Sequence, residues 1–371
     1  MTRAEIVVDL GAIRANVGTL RALTQPAQLM AVVKADGYGH GMIACAHAAR
    51  EAGADWLGVA TLDEALALRA AGDAGPLLSW LTVPGESWTA AIAHDVDVTA
   101  YTQGELAEIA AAARITGSTA RVQLKVDTGL SRGGATMADW PALVAAAHRH
   151  ERDGHVRITG IWSHFAASDE PAHPANDSQE HLFEQALAIA EAAGLRPDVR
   201  HLANSAAAIL RPSSRYDLVR CGIAIYGLDP APDVEHGTPL VPAMTVRAEL
   251  AVVKPLATGA GVSYGHTWIA DHDTTVAVVP AGYAEGIPRA AGNTAYVEIG
   301  GKRRPVRGRI CMDQFVVDLE GDVAEPGDEV LLFGPGTHGE PTAQDWAEAC
   351  GTINYEIVTR IGGRLTRTHT G

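Results

Sequence analysis

Cationic side chains are scarce in this chain: Lys and Arg total 29 against 44 Asp and Glu, for a formal net charge of −15. Such a surface repels phosphate backbones and anionic lipid headgroups, so nucleic acid and membranes are poor partners. Cysteine is scarcer still. The four residues, Cys45, Cys221, Cys311 and Cys350, are scattered and form no C-x-x-C pair, which argues against a zinc site and against a disulfide framework. No apolar run approaches the ~18 residues of a membrane span. Charges also interrupt the N-terminal MTRAEIVVDLGAIRANVGTL every few residues, so it lacks the apolar centre of a signal peptide. Repeats of solenoid period and low-complexity tracts are likewise missing. These absences predict a soluble, cytoplasmic globular protein with no bound metal.

What is present is apolar and long enough for a large core: 371 residues, 47% hydrophobic and 20% charged. In the first ~235 residues, short β-branched runs alternate with Ala-rich helical stretches, the rhythm of β–α units around a parallel sheet. Eight runs stand out: LMAVVKAD (29–36), WLGVAT (56–61), PLLSWLT (76–82), DVDVTAY (95–101), RVQLKVD (121–127), RITGIWSHF (157–165), DVRHLAN (198–204) and YDLVRCGIAIYG (216–227). Eight strands with intervening helices favour a closed (β/α)8 barrel over an open doubly wound sheet. Past Pro230 the texture changes. LDPAPDVEHGTPLVP reads as a connecting loop, and the runs beyond it are β-type with one helical candidate, TAQDWAEAC (342–350). The expected organisation is therefore a barrel over 1–235 and a mostly β domain over 236–371. Whether the extreme N-terminus packs on the second domain is left open.

Chemistry in such a barrel sits at the C-terminal ends of the strands. Lys34 ends the first run, with Tyr38 in a Gly-rich turn just beyond. A lysine held against apolar walls loses solvation of its ammonium form, and its neutral amine can form a Schiff base. Taken alone, Lys34 reads more readily as a strand-end lysine reaching to water. The seventh run ends in Asn204 and Ser205, which can start a helix, and the eighth carries backbone N–H groups near Gly222 and Ile223. Loops after strands seven and eight commonly bind phosphate, so the layout is one that pyridoxal phosphate requires. Ser205 by itself is equally a plain N-cap.

Eight segments in order, VVKADGYGHG, LKVDTGLSRGG, SHFAASDE, HLANSAA, VRCGIAIYGL, GVSYGHTW, GRICMDQF and INYEIVTRIG, resemble the pyridoxal-phosphate-dependent alanine racemases and span both expected domains. The resemblance implies that Lys34 holds the cofactor and then acts as one proton carrier. Tyr264 would be the other, since racemisation needs groups on opposite faces of a planar carbanion. Burial raises a tyrosine pKa, so a donating neighbour must lower it; the family relays that help through the histidine matched by His164. Arg220 takes the place of the carboxylate that many such enzymes set against the pyridine nitrogen. A guanidinium only donates, so the nitrogen stays unprotonated and the ring withdraws less charge.

The resemblance extends outward from these groups. Arg132 matches an arginine touching the cofactor's phenolic oxygen and the substrate carboxylate, and Lys125 matches a lysine that is carbamylated in some members. Unmodified, Lys125 beside Arg132 would place two like charges in a buried site. Tyr355 and Tyr38 correspond to phosphate-contacting hydroxyls, Met312 to a residue whose backbone N–H meets the substrate carboxylate, and Tyr283 to a residue at the mouth. Asp169, Arg289, Arg309 and Asp313 resemble an outer polar layer, though ordinary surface ion pairs account for them as well. In the family, Tyr264 and Met312 serve the site of a partner copy, which implies a homodimer with shared sites. The rivals are a serine or broad-specificity racemase, a barrel-type amino-acid decarboxylase, which Arg220 opposes, and a non-catalytic cofactor carrier, which the second domain opposes.

Overall fold

The structure is a computed structural model that describes residues 3–371. Its first strand, β1 (Ala4–Asp9), precedes the barrel. The barrel comprises β2 (Gln28–Val32), β3 (Trp56–Val59), β4 (Leu77–Ser79), β5 (Asp97–Ala100), β6 (Ala120–Lys125), β7 (Val156–Trp162), β8 (Val199–His201) and β9 (Leu218–Cys221). All eight are parallel, with β9 paired to β2 and the rest in chain order. Two backbone hydrogen bonds, Asp217 N to Arg200 O and Arg220 N to Ala203 O, close the seam between β8 and β9 in place of a ladder. Each strand coincides with one of the eight apolar runs and is shorter than it. The surplus lies mostly at the C-terminal ends, where the chain leaves the ladder but stays packed, as at Leu202, Ala203 and Ile223 to Tyr226.

Local signals set the helices between strands. Thr61 caps the helix Leu62–Ala70 and Glu64 reaches back to close a capping box, while Thr102 and Glu105 do the same for Gln103–Thr116, which ends on Gly117 at φ 68°. Strands β3, β4 and β5 are buried at every residue, as expected of a sheet covered on both faces. No helix among the described residues is long and apolar enough to cross a membrane.

After the barrel, the chain runs from Gly227 to Ala243 without regular structure, pinned by the buried Asn16 of the helix Leu10–Thr24. Asn16 donates to Ile225 O and Val241 O and accepts from Val241 N. From β10 (Met244–Glu249) onward the structure is mostly β, and β1 joins that nine-stranded sheet between β10 and the C-terminal strand Thr366–Thr370. The first and last strands among the described residues thus lie side by side. The helix expected at 342–350 forms over Ala343–Cys350, capped by Thr342. A second, Asn354–Arg360, was not foreseen: seven residues span too little of a helical period to stand out beside β-type runs.

Candidate active site

Lys34 leaves β2 into an unusual turn. Ala35, Asp36, Gly37 and Tyr38 have φ of 53°, 52°, 63° and 53°, a left-handed helical turn in which only one of the four is glycine. For L-residues that conformation costs roughly 1–2 kcal/mol each, so the surroundings must hold it. Glu64 Oε1 accepts from Ala35 N at 2.7 Å, Asp36 Oδ1 accepts from Met42 N at 2.9 Å, and the buried His40 ring bonds Tyr38 O through Nδ1 at 2.9 Å. The turn sets the Lys34 amine 5.8 Å from the Trp80 ring centroid and 6.0 Å from that of Tyr38. Burial lowers its pKa, the Arg132 guanidinium lowers it further, and Glu64 opposes both. A neutral amine is therefore accessible nearer physiological pH than for an ordinary lysine.

On β9, the strand paired with β2, lies the buried Arg220. Its fork donates to His201 Nδ1 at 3.0 Å, to Ser163 O at 2.8 Å, to His164 Nδ1 at 3.0 Å and to Leu202 O at 3.1 Å. Arginine has only donors, so both histidines must accept at Nδ1 and carry their proton on Nε2. Burial and the guanidinium hold both rings neutral, with pKa values well below the ordinary range. His201 then donates to Gln123 Oε1 at 2.7 Å, and Gln123 donates to the carboxylate of Asp97 at 3.0 Å. Thr159 and Arg121 donate to the same carboxylate. A one-way chain of hydrogen bonds thus runs through the barrel interior from a cation at its mouth to an anion on β5.

Lys125, at the end of β6, is buried with its ammonium over the Trp162 ring at 4.6 Å and the Tyr101 ring at 5.3 Å. Burial, Arg220 and Arg132 push its pKa down to about 8, with Asp127 opposing. Beyond β8, Asn204 caps the helix Ser205–Leu210 by accepting from Ala207 N, so the N-cap is Asn204 and not Ser205. Ser205 Oγ instead accepts from Gly222 N at 2.9 Å, stitching the loop after β8 to the one after β9. The amides of Ser205, Ala206 and Ile223 meet no protein acceptor among the described residues. A Cβ on Gly222 would lie 2.3 Å from the Tyr38 hydroxyl, and the Tyr355 ring stands 6.4 Å from that of Tyr38. Free amides and two phenols converge here as a small anion demands. A cavity of about 440 Å³ opens beside Asn204, Tyr355 and Asp169. A larger groove of about 640 Å³ lies on the second domain, away from these groups, and its charged side chains such as Lys302 and Asp322 pair with each other.

The family models of the alanine racemase N-terminal and C-terminal domains match residues 8–230 and 243–369. The chain belongs to the alanine racemase family. The alanine racemase of Frankia casuarinae is 57% identical over 371 residues, covering 99% of this chain and 96% of its own, and that of Mycobacterium leprae is 53% identical over 99% and 95%. Among solved structures, the alanine racemase from D-cycloserine-producing Streptomyces lavendulae superposes with a TM-score of 0.98 at 53% identity, covering 100% of this chain and 98% of that one. The alanine racemase of Clostridium difficile 630 does so at 0.93 with 31% identity, over 100% and 96%.

The remaining family positions, Asp169 apart, lie on the second domain. Tyr264 begins the turn Tyr264–His266 after a left-handed Ser263 and is 71% exposed. Ser263 Oγ donates to Arg309 O at 2.6 Å and lies 3.3 Å from Cys311 Sγ. Tyr283 N and Ala284 N donate to the carbonyls of Cys311 and Met312. These bonds stitch Tyr264, Tyr283, Arg309 and Met312 into one exposed patch. Asp313 pairs with Arg364 at 2.7 Å, Arg289 opens the turn Arg289–Ala291, and Asp169 lines the cavity at the barrel mouth. The structure thus gathers twelve of the family positions, Lys34, Tyr38, Lys125, Arg132, His164, Asp169, Asn204, Ser205, Arg220, Gly222, Ile223 and Tyr355, around the mouth. Tyr264 is not among the groups bearing on Lys34. Sequence reasoning missed Glu64, Trp80, Gln123, Asp97 and His201. Gln123 had a signal, a polar residue in mid-strand within RVQLKV, and Glu64 another, the T-x-x-E box at Thr61.

Proposed function

We propose that this chain interconverts L- and D-alanine on pyridoxal phosphate, with Lys34 and Tyr264 of a second copy as opposed proton carriers. The residues present fit that group. Lys34 supplies an amine of lowered pKa to hold it. Tyr38, Tyr355, Ser205 and the free amides of the β8 and β9 loops suit its phosphate, and Arg220 offers a donor to its ring nitrogen. The chemistry it supplies is electron withdrawal, which weakens the Cα–H bond of an amino acid joined to it.

This chain's residues do the rest. Arg132 orients the substrate carboxylate, and Met312 of the second copy donates its backbone N–H to the same group. Lys34 exchanges a proton with one face of Cα. Tyr264 exchanges one with the other, its phenolate accepting a hydrogen bond from Nε2 of neutral His164. Arg220 fixes that tautomer by filling Nδ1, so a single cation both keeps the ring nitrogen unprotonated and turns His164 into a donor. The observation that carries the reading is the placement of Arg220, which donates to Ser163 O at 2.8 Å and to His164 Nδ1 at 3.0 Å. A decarboxylase benefits from a carboxylate at that place, and Arg220 lies among acceptors that suit only a donor. Incubation of each alanine enantiomer in heavy water tests it. Deuterium should enter Cα with loss of optical rotation, and serine should turn over more slowly; loss of carbon dioxide, or exchange without inversion, would refute the proposal.

A further inference from the structure

The C-terminal strand Thr366–Thr370 reaches back to the turn that aims Lys34. It pairs in parallel with β1, with Ile6 opposite Arg367 and Val8 opposite His369. Alternate residues of a strand face one way, so Arg367 and His369 share a face. Arg367 Nη1 donates to Asp36 Oδ2 at 2.7 Å, and His369 Nε2 donates to His40 O at 2.9 Å. The contacts are close enough to exclude side chains. A Cβ on Gly41 would meet His369 Nε2 at 2.7 Å, and one on Gly39 would meet Val358 O of the helix Asn354–Arg360 at 2.3 Å. The left-handed turn from Ala35 to Gly39 is thus held on one side by the barrel's Glu64 and Met42, and on the other by the second domain.

We propose that Arg367 and His369 are positioning residues for Lys34: with the helix Asn354–Arg360, they brace its left-handed turn across the domain junction. Lys34 and Tyr38 move with that turn, so the last residues of the chain set both the amine and the phenol lying over Gly222. Asp36 is shared between the two halves of the brace, one oxygen on Met42 N and the other on Arg367. The Arg367–Asp36 pair is partly exposed, with side-chain exposures of 26% and 57%, so the pair alone is a weak clamp. Its effect comes from acting with His369, which holds the His40 carbonyl, so that the strained segment is gripped at Asp36 and again four residues on.

The test uses full-length protein carrying Arg367→Met, His369→Phe or both, as holoprotein and as apoprotein. In the apoprotein, competitive acetylation reads the Lys34 amine directly. Relaxation of the turn should raise its pKa toward that of an ordinary lysine, most in the double variant. In the holoprotein, kcat should fall about 10- to 100-fold with little change in KM, because misplacing a proton carrier costs rate more than binding. Arg367→Lys, which keeps the charge, should recover part of the loss. Should the double variant fail to fold, the milder Asp36→Asn, which retains an acceptor for Met42 N, carries the same expectations. Variants that lose only thermal stability, with the amine pKa and kcat at wild-type values, overturn the proposal. It rests on Lys34 being the cofactor lysine: a holoprotein whose Schiff-base absorbance survives Lys34→Ala refutes that reading instead, and the apoprotein amine pKa still decides the brace.

Discussion

Mixing two inactive variants tests whether Tyr264 works across a subunit boundary. Tyr264 is 71% exposed and stands with Met312 and Tyr283 on a patch stitched by backbone bonds, whereas Lys34 is half-buried at the barrel mouth. If each mouth is completed by the patch of a second copy, a Lys34→Ala chain paired with a Tyr264→Phe chain makes one mouth with both groups and one with neither. Random exchange of equal amounts yields about half heterodimers, so the mixture should regain about one quarter of wild-type activity. Isolated heterodimers should show about one half. Were Tyr264 to serve its own chain, every mouth would lack one carrier and nothing would be regained. The contrast is wide, since loss of one acid/base group costs about 10²- to 10⁴-fold and leaves a parent background of about 1% or less. The assay is circular-dichroism detection of alanine racemisation, with exchange verified by native mass spectrometry of differently tagged chains. Activity at background in verified heterodimers would refute the shared site.

Three further outcomes follow from the buried charges. Lys125 makes no hydrogen bond among the described residues, and its pKa lies near 8, below the unfolded value; the folded state therefore binds fewer protons than the unfolded between about pH 8 and 10.5, and stability rises with pH across that window. Lys125→Met should accordingly stabilise the apoprotein by about 1–3 kcal/mol at pH 7 and by less near pH 10 in chemical unfolding, whereas destabilisation in the presence of bicarbonate would indicate a carbamate whose charge Arg132 needs. Asp97→Asn keeps the shape of the chain's anionic end but turns one acceptor into a donor facing Arg121 or Thr159. It should cost about 3 kcal/mol in urea unfolding, and a neutral result would show that the Gln123–His201 link does not depend on it. Ser205→Ala removes the acceptor of Gly222 N and should weaken binding of pyridoxal phosphate several-fold more than that of pyridoxal, measured by fluorescence quenching of the apoprotein.

The eight barrel strands were legible because apolar β-branched runs separated by amphipathic helices have few other ways to bury both faces of a sheet. Of Lys34, Arg132 and Arg220, only Lys34 stood out by position, as a polar residue ending an apolar run; Arg132 and Arg220 were singled out through the family resemblance. The helix Asn354–Arg360 was not, being too short to show its period. Ser205 was ambiguous, since Asn-Ser before Ala-Ala offers two possible caps, and only the approach of the β9 loop shows that Asn204 caps while Ser205 receives Gly222 N. The left-handed turn at Ala35–Tyr38 could not be read either. Ala disfavours it and Asp visits it only as a single residue, and it persists through contacts from Glu64, 29 residues on, and from Arg367, 331 residues on.

Sequence by itself determined the element types, the two-part organisation and the chemical kind of each reactive group, because hydrophobic period and side-chain functional groups are local properties. Tertiary structure decided what those groups do. It fixed which nitrogen of His164 and His201 carries the proton, brought the last strand to the turn of Lys34, and left Tyr264 facing outward. Each of these depends on distances between residues far apart in the chain, and electrostatics and hydrogen bonding act only once folding has set those distances.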